Sequence, residues 1–253
     1  MDLFYREIGE GDPVILMHGL FGSADNLGSF ARALSATYRV ISVDMRNHGR
    51  SPHDTSMRYS DMSEDIIQLL DRLAIDKTRI FGHSMGGKAA MQFALNHGEH
   101  VEKLLVADIA PVEYRHKHSD ILAGMNRVKE EQPASRKDVI AILKNYESEQ
   151  AVLSFLATNW RKDEDGQWGW RINLEAIERE YSEIAKGMTG GPYNGPTMFI
   201  RGGNSDYLRS EHTAVVKQLF PKATVRTIEG TGHWLHAEKP ELFASTALRF
   251  YND

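Results

Sequence analysis

The 253-residue chain contains no cysteine. Disulfides, thiolate nucleophiles and cysteine-ligated zinc are therefore excluded, and the redox compartment is left open. Long apolar runs are missing too. The longest are stretches such as 14–17 and 104–107, far short of the roughly 18 residues a membrane span needs. The first residues, MDLFYREIGEGD, show no basic segment leading into an apolar one. No secretory signal is read there, and a cytoplasmic location is expected. Positive charge is not in excess: 30 Lys and Arg stand against 35 Asp and Glu, a formal net charge of −5. That balance argues against a general nucleic-acid-binding surface. What is present is ordinary globular composition, 41% hydrophobic and 26% charged. Its length suffices for one large core, or a core with a small appended module.

Short apolar runs alternate with longer amphipathic stretches. Runs at 13–17, 39–44, 78–82, 101–107, 196–201 and 223–228 are rich in Val, Ile and Leu and bounded by turn residues, the pattern of buried parallel strands. A further edge strand is expected near 3–8. Between the runs, helix patterns occupy 27–36, 60–73, 86–97, 210–220 and 240–251. Strand–helix alternation of this kind predicts an α/β fold around a mainly parallel sheet. The alternation breaks from 111 to 195, where only helix patterns are read, near 119–131, 136–146, 148–159 and 174–186. A polar segment, RKDEDGQWGW, interrupts them, and TGGPYNGP closes the stretch. An insertion of this length is too long for a loop and is expected to be a small helical module on a core made of residues 1–110 and 196–253.

The sharpest local signal is Gly82-His83-Ser84-Met85-Gly86, a G-x-S-x-G sequence between a predicted strand and a predicted helix. Such a nucleophile elbow bends so tightly that only glycine fits two positions either side of the serine. It would hold the Ser84 hydroxyl above the sheet at a helix N-terminus, where free N–H groups favour developing negative charge. A serine hydroxyl needs a base, and eleven histidines are available. His233, in GTGHW after the last predicted strand, is the best placed, because that loop ends at the carboxyl edge of the sheet. His83 belongs to the elbow, His48 sits in a turn, and His97 and His100 read as surface or packing residues. His116, His118 and His236 have only loosely metal-like spacing and no carboxylate to complete a site, so neither a metal nor any other cofactor is expected. In Met17-His18-Gly19-Leu20-Phe21-Gly22 the Leu20 N–H would face the Met85 N–H as an oxyanion hole, with His18 bracing the loop. Two carboxylates compete to orient the imidazole: Asp206, after the strand that follows the insertion, and Asp108, at the end of the preceding strand. Position alone favours Asp206, and chain order does not separate the two.

These motifs resemble the α/β-hydrolase superfamily, and closely the small bacterial YbfF-type esterases and the animal abhydrolase-domain proteins. The resembling segments are HGLFGSADNLG (18–28), DMRNHGRSP (44–52), GHSMGGKAAM (82–91), VADIAPVEY (106–114), GGNS (202–205) and GTGHWLHAEKP (230–240). The insertion matches least. The resemblance implies an α/β-hydrolase fold, with a mainly parallel sheet flanked by helices and a small helical cap. It implies a carboxylesterase acting on short acyl esters, with acyl thioesters such as acyl-CoA as a further class, and Ser84 and His233 as nucleophile and base. It also implies Asp108 as the acid with Ser205 near the histidine, leaving Asp206 as alternative or second carboxylate.

A small-molecule acyl ester or thioester is thus the expected partner, with no nucleic acid and no membrane span. The insertion is expected to shape and dry an acyl pocket. Phe21, Met85, Phe155, Trp160, Trp168 and Trp234 are candidate walls, with His18 and His83 beside them. Arg115-His116-Lys117-His118 reads either as solvated surface or as an anion site for a CoA-like leaving group. Dehalogenases and epoxide hydrolases on this fold use an aspartate at the elbow, so Ser84 argues against them. A serine perhydrolase, a carbon–carbon hydrolase and a slow-turnover ligand receptor are the competing readings.

Overall fold

The computed structural model describes residues 1–115 and 118–253. Its strands are β1 (Tyr5–Ile8), β2 (Pro13–Met17), β3 (Arg39–Val43), β4 (Thr78–His83), β5 (Val101–Ala107), β6 (Trp160–Lys162), β7 (Trp168–Trp170), β8 (Thr197–Gly202) and β9 (Ala223–Ile228). Among the described residues seven of these form one sheet in the order β1-β3-β2-β4-β5-β8-β9. Only β1 runs antiparallel, paired with β3 at one edge. The strand sequences explain the layering. Side chains alternate along a strand, and in β2 both faces are apolar: Val14 and Leu16 enter one core, Ile15 and Met17 the other. A strand buried on both faces reads as an unbroken apolar run.

Helices α1 (Gly28–Leu34) and α11 (Pro240–Asn252) cover the first face. There Phe30, Phe81 and Phe243 meet edge-to-face, with ring centroids 4.9 to 5.7 Å apart. The opposite face carries α2 (Tyr59–Arg72) and α3 (Met85–Asn96), packed on each other. Ten of the twelve residues of α3 are buried, the signature of a helix enclosed on all sides. Helix α9 (Thr213–Leu219) links β8 to β9, and α10 (Leu235–Glu238) precedes α11.

The segment between β5 and β8 forms α4 (Ser119–Glu131), α5 (Arg136–Leu143), α6 (Gln150–Ala157), α7 (Leu174–Arg179) and α8 (Tyr181–Ala185). Ser135 caps α5 by accepting the Asp138 N–H, and Asn173 caps α7 by accepting that of Ala176. Two expectations are corrected here. The polar segment holds a hairpin, β6–β7, closed by a turn at Asp163–Gly166 in which Gly166 adopts φ +79°. Its three-residue strands are too short to show a period, and the pairing depends on Trp160 standing edge-on to Trp170 at 5.1 Å. The continuous helix expected over 174–186 is two helices, interrupted at Glu180, whose ψ of 16° ends the α7 spiral. No described helix is long and apolar enough to cross a membrane.

Parallel strands put their carboxyl ends on one edge of the sheet, where ligand sites of open α/β sheets form. The loops leaving β2, β4, β5, β8 and β9 therefore gather His18 to Gly22, Ser84, Asp108, Ser205 and His233 in one region.

Candidate active site

Ser84 sits between β4 and α3 with φ 53° and ψ −119°, a conformation unfavourable for any side-chain-bearing residue. Surroundings enforce it. A Cβ at Gly82 would lie 2.1 Å from the Gly86 carbonyl oxygen, and one at Gly86 would lie 2.4 Å from the carbonyl oxygens of both Met17 and His18. The Ser84 N–H donates to the Ala107 carbonyl at 3.0 Å, and the Ser84 carbonyl accepts the first α3 bond from Lys88 at 3.0 Å. Ser84 Oγ lies 3.0 Å from His233 Nε2.

The imidazole of His233 is held by Asp108, Tyr207 and His83. Its Nδ1–H donates to Asp108 Oδ2 at 2.7 Å. Tyr207 stacks on one ring face at 4.1 Å and 27°, and the His83 ring lies 4.7 Å away. His83 also donates from Nε2 to the His233 carbonyl at 2.9 Å, so the residue before Ser84 grips the main chain of His233. Burial, reinforced by His236 and His233, holds the His83 imidazole well below the ordinary range and keeps it neutral. The loop of His233 is fixed by the Glu238 carboxylate, which accepts the Gly232 N–H at 2.9 and 3.1 Å.

Asp108 is fully buried, with φ 51°. Its carboxylate accepts three hydrogen bonds: from Gly202 N–H at 2.9 Å, from the Ser205 hydroxyl, and from His233. A buried carboxylate requires such partners. Asp206 is exposed on the neighbouring loop, and His233 is hydrogen-bonded to Asp108, not to it. The order that position alone favoured is thus reversed in space.

The loop from His18 to Gly22 runs directly over Ser84. A Cβ on Gly19 would be 3.3 Å from Ser84 Cβ. Two buried histidines hold the loop from beneath. His18 Nδ1–H donates to the Gly19 carbonyl at 2.8 Å while Nε2 accepts the Met45 N–H at 3.0 Å. His48 Nδ1–H donates to the Arg46 carbonyl at 2.8 Å and Nε2 accepts the Phe21 N–H at 3.1 Å. One donor and one acceptor on each ring specify neutral tautomers, and burial pushes His48 down to about 3 and lowers His18. From above, Asn159 Nδ2–H donates to the Phe21 carbonyl at 2.7 Å, and Phe21 takes φ 61°. The Met85 N–H belongs to the first turn of α3, which has no preceding intrahelical acceptor. Leu20 borders Ser84 on the facing loop.

A cavity of about 250 Å³ opens on Ser84 and His233, with Ile121, Val152, Phe155, Leu156 and Trp234 as its apolar walls. His18, Phe21 and His83 also line it, and Phe155 meets Trp234 at 5.6 Å. Met85 borders a second, smaller cavity on the same serine. Trp160 and Trp168, expected among the walls, are not there. Trp160 is wholly buried within the insertion with its indole N–H donated to the Pro133 carbonyl, and Trp168 packs under Lys162 on the hairpin. Of the basic cluster at 115–118, His116 and Lys117 lie outside the described residues, Arg115 borders the smaller cavity and His118 borders both. No three metal-ligating side chains converge among the described residues. Sequence reasoning passed over His48, Asn159, Tyr207 and Lys88. His48 lies within the 44–52 motif, but which backbone group it braces emerges only when two distant loops meet.

The α/β-hydrolase-fold family profile matches residues 12–137. The chain is 40% identical over 242 residues to the esterase YbfF of Escherichia coli K12, an alignment covering 95% of this chain and 93% of that protein. It is 37% identical over 246 residues to the Mus musculus protein named sn-1-specific diacylglycerol lipase ABHD11, covering 94% of this chain and 80% of that one. Among solved structures, a marine microorganism esterase superposes with a TM-score of 0.95 at 39% identity, covering 98% of this chain and 99% of that one.

Proposed function

This chain belongs to the α/β-hydrolase family and is a hydrolase of ester bonds, and from that premise we propose that it is a serine carboxylesterase working through Ser84, His233 and Asp108. The observation that carries the reading is the unbroken line from Asp108 Oδ2 through His233 to Ser84 Oγ, at 2.7 and 3.0 Å, beside a mostly apolar cavity. In this mechanism Ser84 Oγ attacks the acyl carbonyl as His233 Nε2 takes its proton. Asp108 holds the Nδ1–H tautomer and stabilises the imidazolium. The N–H groups of Leu20 and Met85 receive the oxyanion, in a site where preorganised donors are worth several kcal/mol. His233 then protonates the departing alcohol, and water repeats the sequence on the acyl-enzyme. The 111–195 insertion acts as a cap, its α4 and α6 supplying the apolar walls.

Short acyl esters fit this site best, because a cavity of about 250 Å³ is below the roughly 300–1,000 Å³ of pockets that enclose drug-sized ligands. Thioesters are handled by the same chemistry. The kinship to a protein named as a diacylglycerol lipase makes a two-chain lipid ester the competing substrate. A fluorophosphonate is expected to label Ser84 in wild type and not in Ser84→Ala. A panel of p-nitrophenyl esters and acyl-CoAs of graded length is expected to peak at short oxygen esters. Unlabelled Ser84 would refute the mechanism, and a peak at long chains or at diacylglycerol would refute the substrate class.

A further inference from the structure

The smaller cavity bordering Ser84, about 40 Å³, is lined by Met85, Tyr59, Tyr114, Tyr181 and Lys88. Lys88 lies in the first turn of α3, and its N–H donates to the carbonyl of the N-cap residue Ser84 at 3.0 Å. Its side chain is buried at 2% exposure. Two of its three Nζ hydrogens donate to the carbonyls of Ala185, at 2.9 Å, and Lys186. Among the described residues no carboxylate stands within ion-pairing distance and no acceptor takes the third hydrogen. Glu113 acts only at longer range. The rings of Tyr114 and Tyr59 flank the ammonium at 4.8 and 5.8 Å. Their hydroxyls are committed: Tyr59 donates to the Ile184 carbonyl at 2.7 Å, and Tyr114 donates to the Tyr207 carbonyl while accepting the Ala110 N–H.

A buried cation without a counter-ion is unfavourable, and burial pulls this ammonium down to about 7. It borders a space that opens on the attacking hydroxyl, where a substrate can supply the missing anion. We propose that this cavity is an anion subsite, in which Lys88 receives a carboxylate at the far end of a short acyl chain carried by Ser84. The dimensions agree. One water needs about 10–15 Å³ of such space, so the cavity admits about three heavy atoms, the size of a carboxyl group and too small for a long alkyl chain.

This subsite rests on the serine-esterase reading above, and the test separates the two. Wild type and Lys88→Met are assayed with p-nitrophenyl hemisuccinate and with p-nitrophenyl 4-methylpentanoate, which carries an uncharged isopropyl end in place of the carboxylate. The expected result is a kcat/KM ratio of three or more in favour of the hemisuccinate in wild type, falling to one or below in Lys88→Met. A wild-type ratio below three, or a ratio that survives in Lys88→Met, overturns the subsite. Should Lys88→Met fail to fold, the wild-type ratio decides by the same threshold. If wild type turns over neither ester, the esterase reading itself fails.

Discussion

Asp108→Asn changes one atom of the buried carboxylate, and the geometry around that atom dictates the consequence. The two oxygens accept three donors: Gly202 N–H on Oδ1, and the Ser205 hydroxyl and His233 Nδ1–H on Oδ2. An asparagine has one accepting oxygen and one donating NH₂. With its oxygen toward His233, the NH₂ meets Gly202 N–H and two donors oppose each other. With its NH₂ toward His233, Nδ1 must accept, the proton moves to Nε2, and the nitrogen 3.0 Å from Ser84 Oγ can no longer act as a base. Loss of the correct tautomer lowers kcat about 10⁴-fold, roughly 5 kcal/mol at 1.36 kcal/mol per decade. The assay is kcat for p-nitrophenyl butyrate at pH 7.5, with thermal unfolding confirming that the variant is folded. Asp206→Asn, at an exposed carboxylate, is expected within twofold of wild type. Retention of more than a tenth of kcat in folded Asp108→Asn, or a hundredfold loss in Asp206→Asn, would refute the reasoning.

Gly86→Ala is expected to abolish folding or lower Tm by more than 10 °C, because its Cβ would press on the carbonyl oxygens of Met17 and His18 at 2.4 Å, both backbone atoms; a wild-type melting curve would contradict it. Stability is expected to fall with acid. His48 and His236 are pushed by burial to about 3 and about 4, below the unfolded value of about 6.5. Between those limits the unfolded chain binds more protons, so stability rises with pH by up to about 1.4 kcal/mol per unit for each group. Urea titrations at pH 4.5, 5.5 and 7.0 read that slope, and a flat series would contradict neutral buried rings. Trp160→Ala is expected to cost about 3–5 kcal/mol without changing acyl-chain preference, while Phe155→Ala, at the cavity wall, shifts that preference toward bulkier acyl groups. Melting curves and an ester panel on both variants measure the two effects, and a changed chain preference in Trp160→Ala would contradict the assignment.

Inner parallel strands such as β2 could be read from sequence because they are apolar on both faces, a pattern that depends on few neighbours, whereas the exposed edge strand β9 is marked only by its β-branched residues and flanking turns. The predicted run at 101–107 coincides with β5, and 223–228 with β9. The hairpin at Trp160–Lys162 could not be read, since an indole–indole contact across a polar turn, not periodicity, holds it. The elbow announced itself by its glycines, which are required by contacts with the 17–18 backbone and within the turn itself. Choosing between Asp108 and Asp206 was beyond sequence position. Which of them meets His233 is set by where Gly202 N–H and Ser205, at the end of β8, are directed toward the end of β5. Nothing in the sequence around Lys88 distinguishes it from a solvated helix residue. Only the return of the chain at Ala185 and Lys186 reveals that it is enclosed.

The 111–195 insertion is fastened at several points around its margin. Asn159 holds the Phe21 carbonyl, Asn173 bonds Asn47 through both backbone and side chain, and Arg179 reaches the Thr55 carbonyl. Its entry and exit are stitched together by Tyr114 N–H to Ala185 and Met188 N–H to Pro111. The insertion is thus tied to the core at several separate places, with α4 and α6 spanning the larger cavity between them. One footing, Asn159 on the Phe21 carbonyl, rests on the 18–22 loop, so in the proposed mechanism the insertion and the Leu20 N–H share a support.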